Sequence, residues 1–385
     1  MARDDTVRPG GSGLPGASSE AQFGAARLPL GTGRLIPADL GVLTLEDGTP
    51  LPVTLAYRHD GPGPDGPQVL VIHALTGSAD AAGDWWAPLI GPGRALDTER
   101  VGVLCANLLG GRYGSTGPTS IDPATGAPYG DAFPQLTARD EAQALWALAD
   151  ALSIERFALV AGGSLGGMIA LEVALARPEA VGHVLPIAAP AATGALAVAW
   201  NHIQLEVIKR LGVEGMAIAR QLAMTTYRSE VDFDGRFGRA IQSDGRFAIS
   251  SYLDHQGDKL VDRFDPDTYR VLVRIMDLHD VGSGRGGIVE AFLALGDAGT
   301  GLTGLGIEGD LLYGPAQVRA LVDDAAAAGV DAGYRELTST KGHDAFLTEW
   351  DQLTVILGEA LGDGIERGSR HELHAVAAGR SAGAA

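Results

Sequence analysis

One cysteine, Cys105, is present among 385 residues, so no disulfide can form within the chain and cysteine-dense secreted scaffolds are excluded. No His/Cys cluster at metal-ligand spacing occurs, and no Gly-x-x-x-x-Gly-Lys-Ser/Thr loop, which leaves no metal site and no bound-nucleotide hydrolysis to argue for. Positive charge is scarce as well. With 29 Lys+Arg against 48 Asp+Glu, the net charge of −19 disfavours nucleic acid and anionic membrane surfaces as partners. It does not forbid a local cationic pocket. The most apolar stretch, Ile187–Trp200, is too short to span a bilayer and is interrupted by Pro190 and Gly194. The Gly- and Ser-rich segment from Met1 to about Ala25 lacks an apolar run of about 7–15 residues, so no signal peptide is expected. A cytoplasmic protein without a membrane partner is the expectation.

Apolar material is ample. At 45% hydrophobic and 20% charged residues, the chain can bury a large core and is not intrinsically disordered. Val69–His73, Gly102–Asn107 and Phe157–Ala161 are continuous apolar runs, as strands buried on both faces should be. Cys105 lies in the second of these and reads as a buried strand thiol. Thr137–Leu152 carries apolar residues at helical spacing behind a capping threonine, and Leu165–Ala176 is a helix stopped by Pro178. Strand–helix alternation of this kind predicts an α/β domain with a mostly parallel sheet. From about Ala191 the pattern turns helical, with Trp200–Leu211, Gly215–Tyr227 and Asp267–Asp277 clearest. Strand signals return at Gly304–Leu312 and Gly333–Leu337 before the amphipathic helix Phe346–Leu361. The expected organisation is a core over residues 31–190 and 301–365, split by a helical lid over 191–300. Residues 1–30 and 366–385 are expected to be disordered tails.

Gly162-Gly163-Ser164-Leu165-Gly166 stands directly between a predicted strand and a predicted helix. In a chain with 55 glycines a Gly-x-Ser-x-Gly pattern is weak by itself, and the strand–turn–helix setting gives it meaning as a nucleophile elbow. Serine at its free pKa is a poor nucleophile and needs a base steadied by a carboxylate. In α/β-hydrolases those partners follow in the order serine, acid, histidine, each after a later strand. Of nine histidines only His343 lies between the last predicted strand and the last helix. Asp310 follows the strand before it, whereas Asp323 and Asp324 on the next helix would be badly aimed. The oxyanion would be held by the backbone N–H groups of Leu165 and of Leu75, in the loop His73-Ala74-Leu75-Thr76-Gly77. His73 is expected to shape that loop rather than to react.

These motifs, with Asp84-Trp85-Trp86, Asn107-Leu108-Leu109-Gly110-Gly111, Thr226-Tyr227-Arg228-Ser229, Arg263-Phe264-Asp265 and Gly342-His343-Asp344-Ala345-Phe346, resemble the homoserine O-acetyltransferases. The resemblance runs from about Leu35 to Leu361. It implies an α/β-hydrolase fold, and acetyl transfer from acetyl-CoA to homoserine through an acyl-Ser164 intermediate, on the way to methionine. It also implies small-molecule substrates, no permanently bound cofactor and a homodimer. Carried over by position, Arg220 would grip the amino acid's carboxylate and Asp344 would receive its ammonium, with Arg228 as the alternative cation. Two departures stand out. The segment between Asn201 and Arg220 is shorter than the family pattern, so the lid is trimmed there. Arg112-Tyr113 replaces a position commonly held by Cys, and an arginine there either favours a more anionic donor such as succinyl-CoA or lies on the surface. Serine as acceptor, or water as in an esterase, are the alternatives.

Overall fold

The computed structural model describes residues 28–382, with side chains as far as Arg370. Most of the expected N-terminal tail therefore lies outside the described residues. The chain opens with the antiparallel pair β1 (Ile36–Thr44) and β2 (Pro50–Asp60), then β3 (Gln68–Ile72) and β4 (Gly102–Ala106). Next come α1 (Ala138–Ala151), β5 (Phe157–Gly163), α2 (Leu165–Ala176) and β6 (Val181–Ile187). Helices α3 (Ala195–Leu211), α4 (Val213–Tyr227), α5 (Glu230–Arg236), α6 (Ala248–Val261) and α7 (Pro266–Leu278) follow. The chain closes with α8 (Ile288–Ala298), β7 (Gly301–Ile307), α9 (Pro315–Ala327), β8 (Ala332–Leu337) and α10 (Trp350–Ala382). Eight strands form one sheet in the order β1-β2-β4-β3-β5-β6-β7-β8, antiparallel at β1, β2 and β4 and parallel from β4 onward.

The parallel strands are apolar throughout because both of their faces are covered. Leu70 and Ile72 of β3 point into the core beneath α1 and α2, and Val69 and Val71 into the one beneath α10. Helix α1 begins at a full capping box: Thr137 Oγ1 accepts from Asp140 N–H and the Thr137 N–H donates to Asp140 Oδ2 at 2.8 Å. Helix α2 is apolar apart from Glu172, which Arg285 pairs at 2.7 Å, and is buried from Leu165 to Ala174, as the central helix of such a stack must be. Among the described residues, no helix is long and apolar enough to cross a membrane.

Two expectations are corrected. The helix predicted to stop at Leu361 continues as α10 to Ala382, through most of the expected C-terminal tail. Gly364 in that stretch is a contact point, not a break. A side chain at Gly364 would overlap the Ala158 carbonyl, and the reciprocal Gly182 on β6 faces Gly364, so helix and sheet touch backbone to backbone. Arg367 then donates to the Gly299 carbonyl at 3.1 Å and pairs with Asp331. The lid, secondly, ends earlier than residue 300. Helix α8 packs on α2 and α9 of the core, with Gly296 against the Ala328 carbonyl, so it belongs with the core rather than with α3–α7.

Candidate active site

Ser164 ends β5 and begins α2 with φ 56° and ψ −122°, a conformation that L side chains rarely adopt. The glycines around it are required by close approach. A Cβ at Gly162 would lie 2.4 Å from Gly166, and one at Gly166 would lie 2.2 Å from the Ile72 carbonyl. A Cβ at Gly163 would strike the Phe346 ring at 2.5 Å. The turn is thus pressed between the end of β3 and the segment carrying His343.

That segment is the short 3₁₀ turn Gly342–Leu347. His343 Nδ1 is 2.7 Å from Asp310 Oδ2, and Asp310 Oδ1 accepts from the Leu312 and Tyr313 N–H groups at 2.8 and 3.1 Å. With a carboxylate at Nδ1, the ring holds its proton there and leaves Nε2 as the basic nitrogen. Nε2 is buried and has no hydrogen-bond partner among the described residues. Burial pushes the imidazole pKa down, but the Asp310 charge and hydrogen bond, with the Asp344 charge, hold it above its ordinary value. Rings of Tyr227, Tyr313 and Phe346 surround it, each centred 5.7 Å away.

The loop expected to carry an oxyanion donor is built as a rigid turn. Gly77 N–H donates to the Ala74 carbonyl at 2.9 Å, and a Cβ on Gly77 would overlap His73. His73 Nε2 accepts from the Leu108 N–H at 3.2 Å, so Nδ1 holds the proton and donates to the Ala74 carbonyl at 2.8 Å. Burial lowers the His73 pKa to about 4, which keeps it neutral and fits a loop-shaping role. Leu165 opens α2, where an N–H has no partner within the helix. The Gly166 contact with the Ile72 and His73 carbonyls brings that N–H beside the loop.

Above lies a cavity of about 870 Å³, walled by Ala74, Thr76, Tyr113, Arg220, Arg263 and Asp344 among others. Ser164, Leu75, Leu165 and His343 do not line it themselves; they sit beneath its wall, with Ser164 4% and His343 3% exposed. Arg220 extends from α4 with its guanidinium 5.2 Å from the centre of the Tyr227 ring, which in turn packs on His343. It has no carboxylate partner among the described residues. Asp344 is already engaged: its Oδ2 is 3.0 Å from Arg228 Nε, and Arg228 also lies 3.7 Å from Asp232. This pairing was not anticipated, although both residues stood within the motifs. Arg112 does not face the cavity; it pairs at 2.8 Å with Asp265, the cap of α7, and so ties lid to core. Arg263 and Tyr113, also unassigned by sequence, complete the wall. Among the described residues no cluster of His, Cys, Asp and Glu is placed to hold a metal ion.

Residues 67–210 match the sequence model of the alpha/beta hydrolase fold family. Over 347 residues the chain is 41% identical to homoserine O-acetyltransferase of Moorella thermoacetica, covering 82% of this chain and 92% of that one. Over 332 residues it is 44% identical to homoserine O-acetyltransferase of Thermus thermophilus, covering 79% and 82%. The crystal structure of homoserine O-acetyltransferase from Staphylococcus aureus matches with a TM-score of 0.72 at 30% identity, over 85% of this chain and 95% of that one. With identity of this level over about four-fifths of its length, the chain belongs to the homoserine O-acetyltransferase family.

Proposed function

We propose that the protein moves an acetyl group from acetyl-CoA to the side-chain hydroxyl of L-homoserine. The observation that carries the reading is the Arg220–Asp344 combination in one cavity wall, Asp344 adjoining His343 in the chain and Arg220 stacked on the Tyr227 ring that packs against it. A free amino acid presents one carboxylate and one ammonium. A guanidinium without a carboxylate partner suits the first, bidentately, and a carboxylate suits the second. An esterase with the same triad has no need of either.

In this reading Ser164 Oγ attacks the thioester carbonyl while His343 Nε2 takes its proton. The N–H groups of Leu75 and Leu165 receive the oxyanion, and CoA leaves as the thiol with the proton from His343. The acceptor hydroxyl then gives its proton to His343 and attacks the acyl-serine; the Ser164 Oγ–acyl bond breaks, His343 returns the proton to Oγ, and the O-acetyl product departs. Asp310 holds the imidazole in its tautomer throughout. Acetyl-CoA enters as a substrate and no resident cofactor takes part. As an enzyme of methionine biosynthesis the protein belongs in the cytoplasm. Exposed apolar side chains on α3 and α4, such as Leu196, Ile203 and Ile218, are consistent with a homodimer formed through the lid.

The test is CoA release from acetyl-CoA and succinyl-CoA, each with L-homoserine, L-serine or no acceptor, with product masses recorded. Release with acetyl-CoA and homoserine alone, giving O-acetylhomoserine, supports the proposal. Preference for serine or succinyl-CoA changes the substrate, and equal release without acceptor makes the protein a hydrolase.

A further inference from the structure

Three segments that are distant in sequence are tied to one another in a ring around the Leu75 peptide. The first is the turn His73–Gly77, whose His73 binds the Leu108 N–H. The second is the glycine loop that continues from Leu108 to Tyr113. From it Arg112 pairs with Asp265 and the Tyr113 hydroxyl donates to the Arg263 carbonyl at 3.3 Å. The third is the lid segment Arg263–Asp265, which closes the ring: Arg263 Nη1 donates to the Thr76 carbonyl at 2.6 Å and Nη2 to Thr76 Oγ1 at 3.2 Å.

We infer that Arg263 is a positioning residue that holds the oxyanion loop from the lid side while His73 holds it from below. The inference rests on the reading of Leu75 as an oxyanion donor. The Ala74 carbonyl and the Leu75 N–H belong to one planar trans peptide, so they point in opposite directions. Both the His73 Nδ1–H and the Gly77 N–H bind the Ala74 carbonyl, turning it into the protein and the Leu75 N–H away from it. That fixes one side of Leu75. On the other side the Thr76–Gly77 peptide is gripped at both ends, its N–H on the Ala74 carbonyl and its carbonyl by Arg263 Nη1, while Arg263 Nη2 holds the Thr76 hydroxyl. Arg263 has no carboxylate partner among the described residues, so its charge is directed at this loop. Oxyanion donors act through preorganisation, and a donor allowed to wander loses most of its effect. Through this side chain the lid reaches the oxyanion loop, and a lid that lifts would slacken the Leu75 N–H.

Hydrolysis of p-nitrophenyl acetate by Arg263→Ala and Arg263→Lys tests this, because acylation of Ser164 by that ester needs the oxyanion loop but neither CoA nor an amino acid. Folding is checked by thermal unfolding, and Ser164→Ala supplies the background. The expected result is a fall in kcat/KM of about 10-fold or more in Arg263→Ala, carried by kcat, with Arg263→Lys partly restoring it. With acetyl-CoA and the phosphate-free donor acetyl-pantetheine the same fall should appear for both. A loss confined to the KM for acetyl-CoA would overturn the inference and make Arg263 a contact for the donor's phosphates. Unchanged ester kinetics in a folded Arg263→Ala would overturn it as well. If wild type acylates from the ester but transfers nothing from acetyl-CoA, the proposed function fails while the clamp is still read from the ester.

Discussion

Asp344, next to the histidine of the His343–Asp310 pair, faces the cavity with one carboxylate oxygen 3.0 Å from Arg228 Nε. On the proposed reading, an incoming ammonium would meet a carboxylate already paired with a cation, whereas an incoming carboxylate would meet Arg220, which has no carboxylate partner among the described residues. The proposal therefore makes recognition of the amino acid's two ends unequal.

The two arginines should separate in kinetics. Arg220→Ala is expected to raise the acceptor's KM by about 10- to 100-fold, the weight of a lost charge-assisted pair. Arg228→Ala removes a competitor for Asp344 and should change that KM by less than about threefold. Steady-state titration of the amino acid at saturating acetyl-CoA checks both, and the reverse ranking would give Arg228 the carboxylate.

Activity should rise with pH along a limb set by His343, because only its neutral form accepts the nucleophile's proton. Its pKa is held above the ordinary 6.5 by the Asp310 charge and hydrogen bond against burial. Asp310→Asn leaves burial to dominate, so the limb should move to lower pH. It also permits the wrong tautomer, and by analogy with serine proteases kcat should fall by roughly 10⁴-fold. A pH profile of acylation in both proteins is the check.

Ser164 occupies a backbone conformation favoured by glycine. Ser164→Gly is expected to abolish acyl transfer and yet stabilise the fold by about 1 kcal/mol through relief of that strain. Ser164→Ala keeps a Cβ and should not show the gain. Chemical denaturation of the three proteins side by side decides it.

His183 lies far from the cavity, on β6, with Nε2 2.9 Å from Thr303 Oγ1. Burial, helped by the Arg367 charge, lowers its pKa to about 4 from 6.5. The unfolded chain binds a proton in that window and the native chain does not, so this residue's contribution to stability is lost as pH falls. His183→Gln should remove about 1.4 kcal/mol per pH unit from the slope of unfolding free energy between about 6.5 and 4. Urea midpoints at pH 7, 5.5 and 4.5 measure it.

The centre of the fold was legible because its strands are buried on both sides: β3, β4 and β5 are plain apolar runs in the sequence. The outer pair was not. β1 mixes exposed Val42 with buried Ala38, and its pairing with β2 shifts register between Asp39 and Val42, which erases a simple alternation. β6 went unread because Pro186 and Gly182 interrupt it and because it merges with the apolar stretch that follows. Ser164, Asp310 and His343 could be placed because each follows a strand in a fixed order, a property of chain topology. The Arg228–Asp344 pair and the Arg263–Thr76 bonds could not, since they join residues more than a hundred positions apart that only the folded lid brings together.

Cys105 is enclosed on β4, and burial drives its thiol pKa upward, so at neutral pH it presents no thiolate to a modifying reagent. For alkylating chemistry the native chain is effectively blank. A cysteine introduced at an exposed lid position such as Val231 would be the one site to accept a maleimide dye. Lid movement during turnover can therefore be followed by fluorescence in a protein whose own thiol has been left in place.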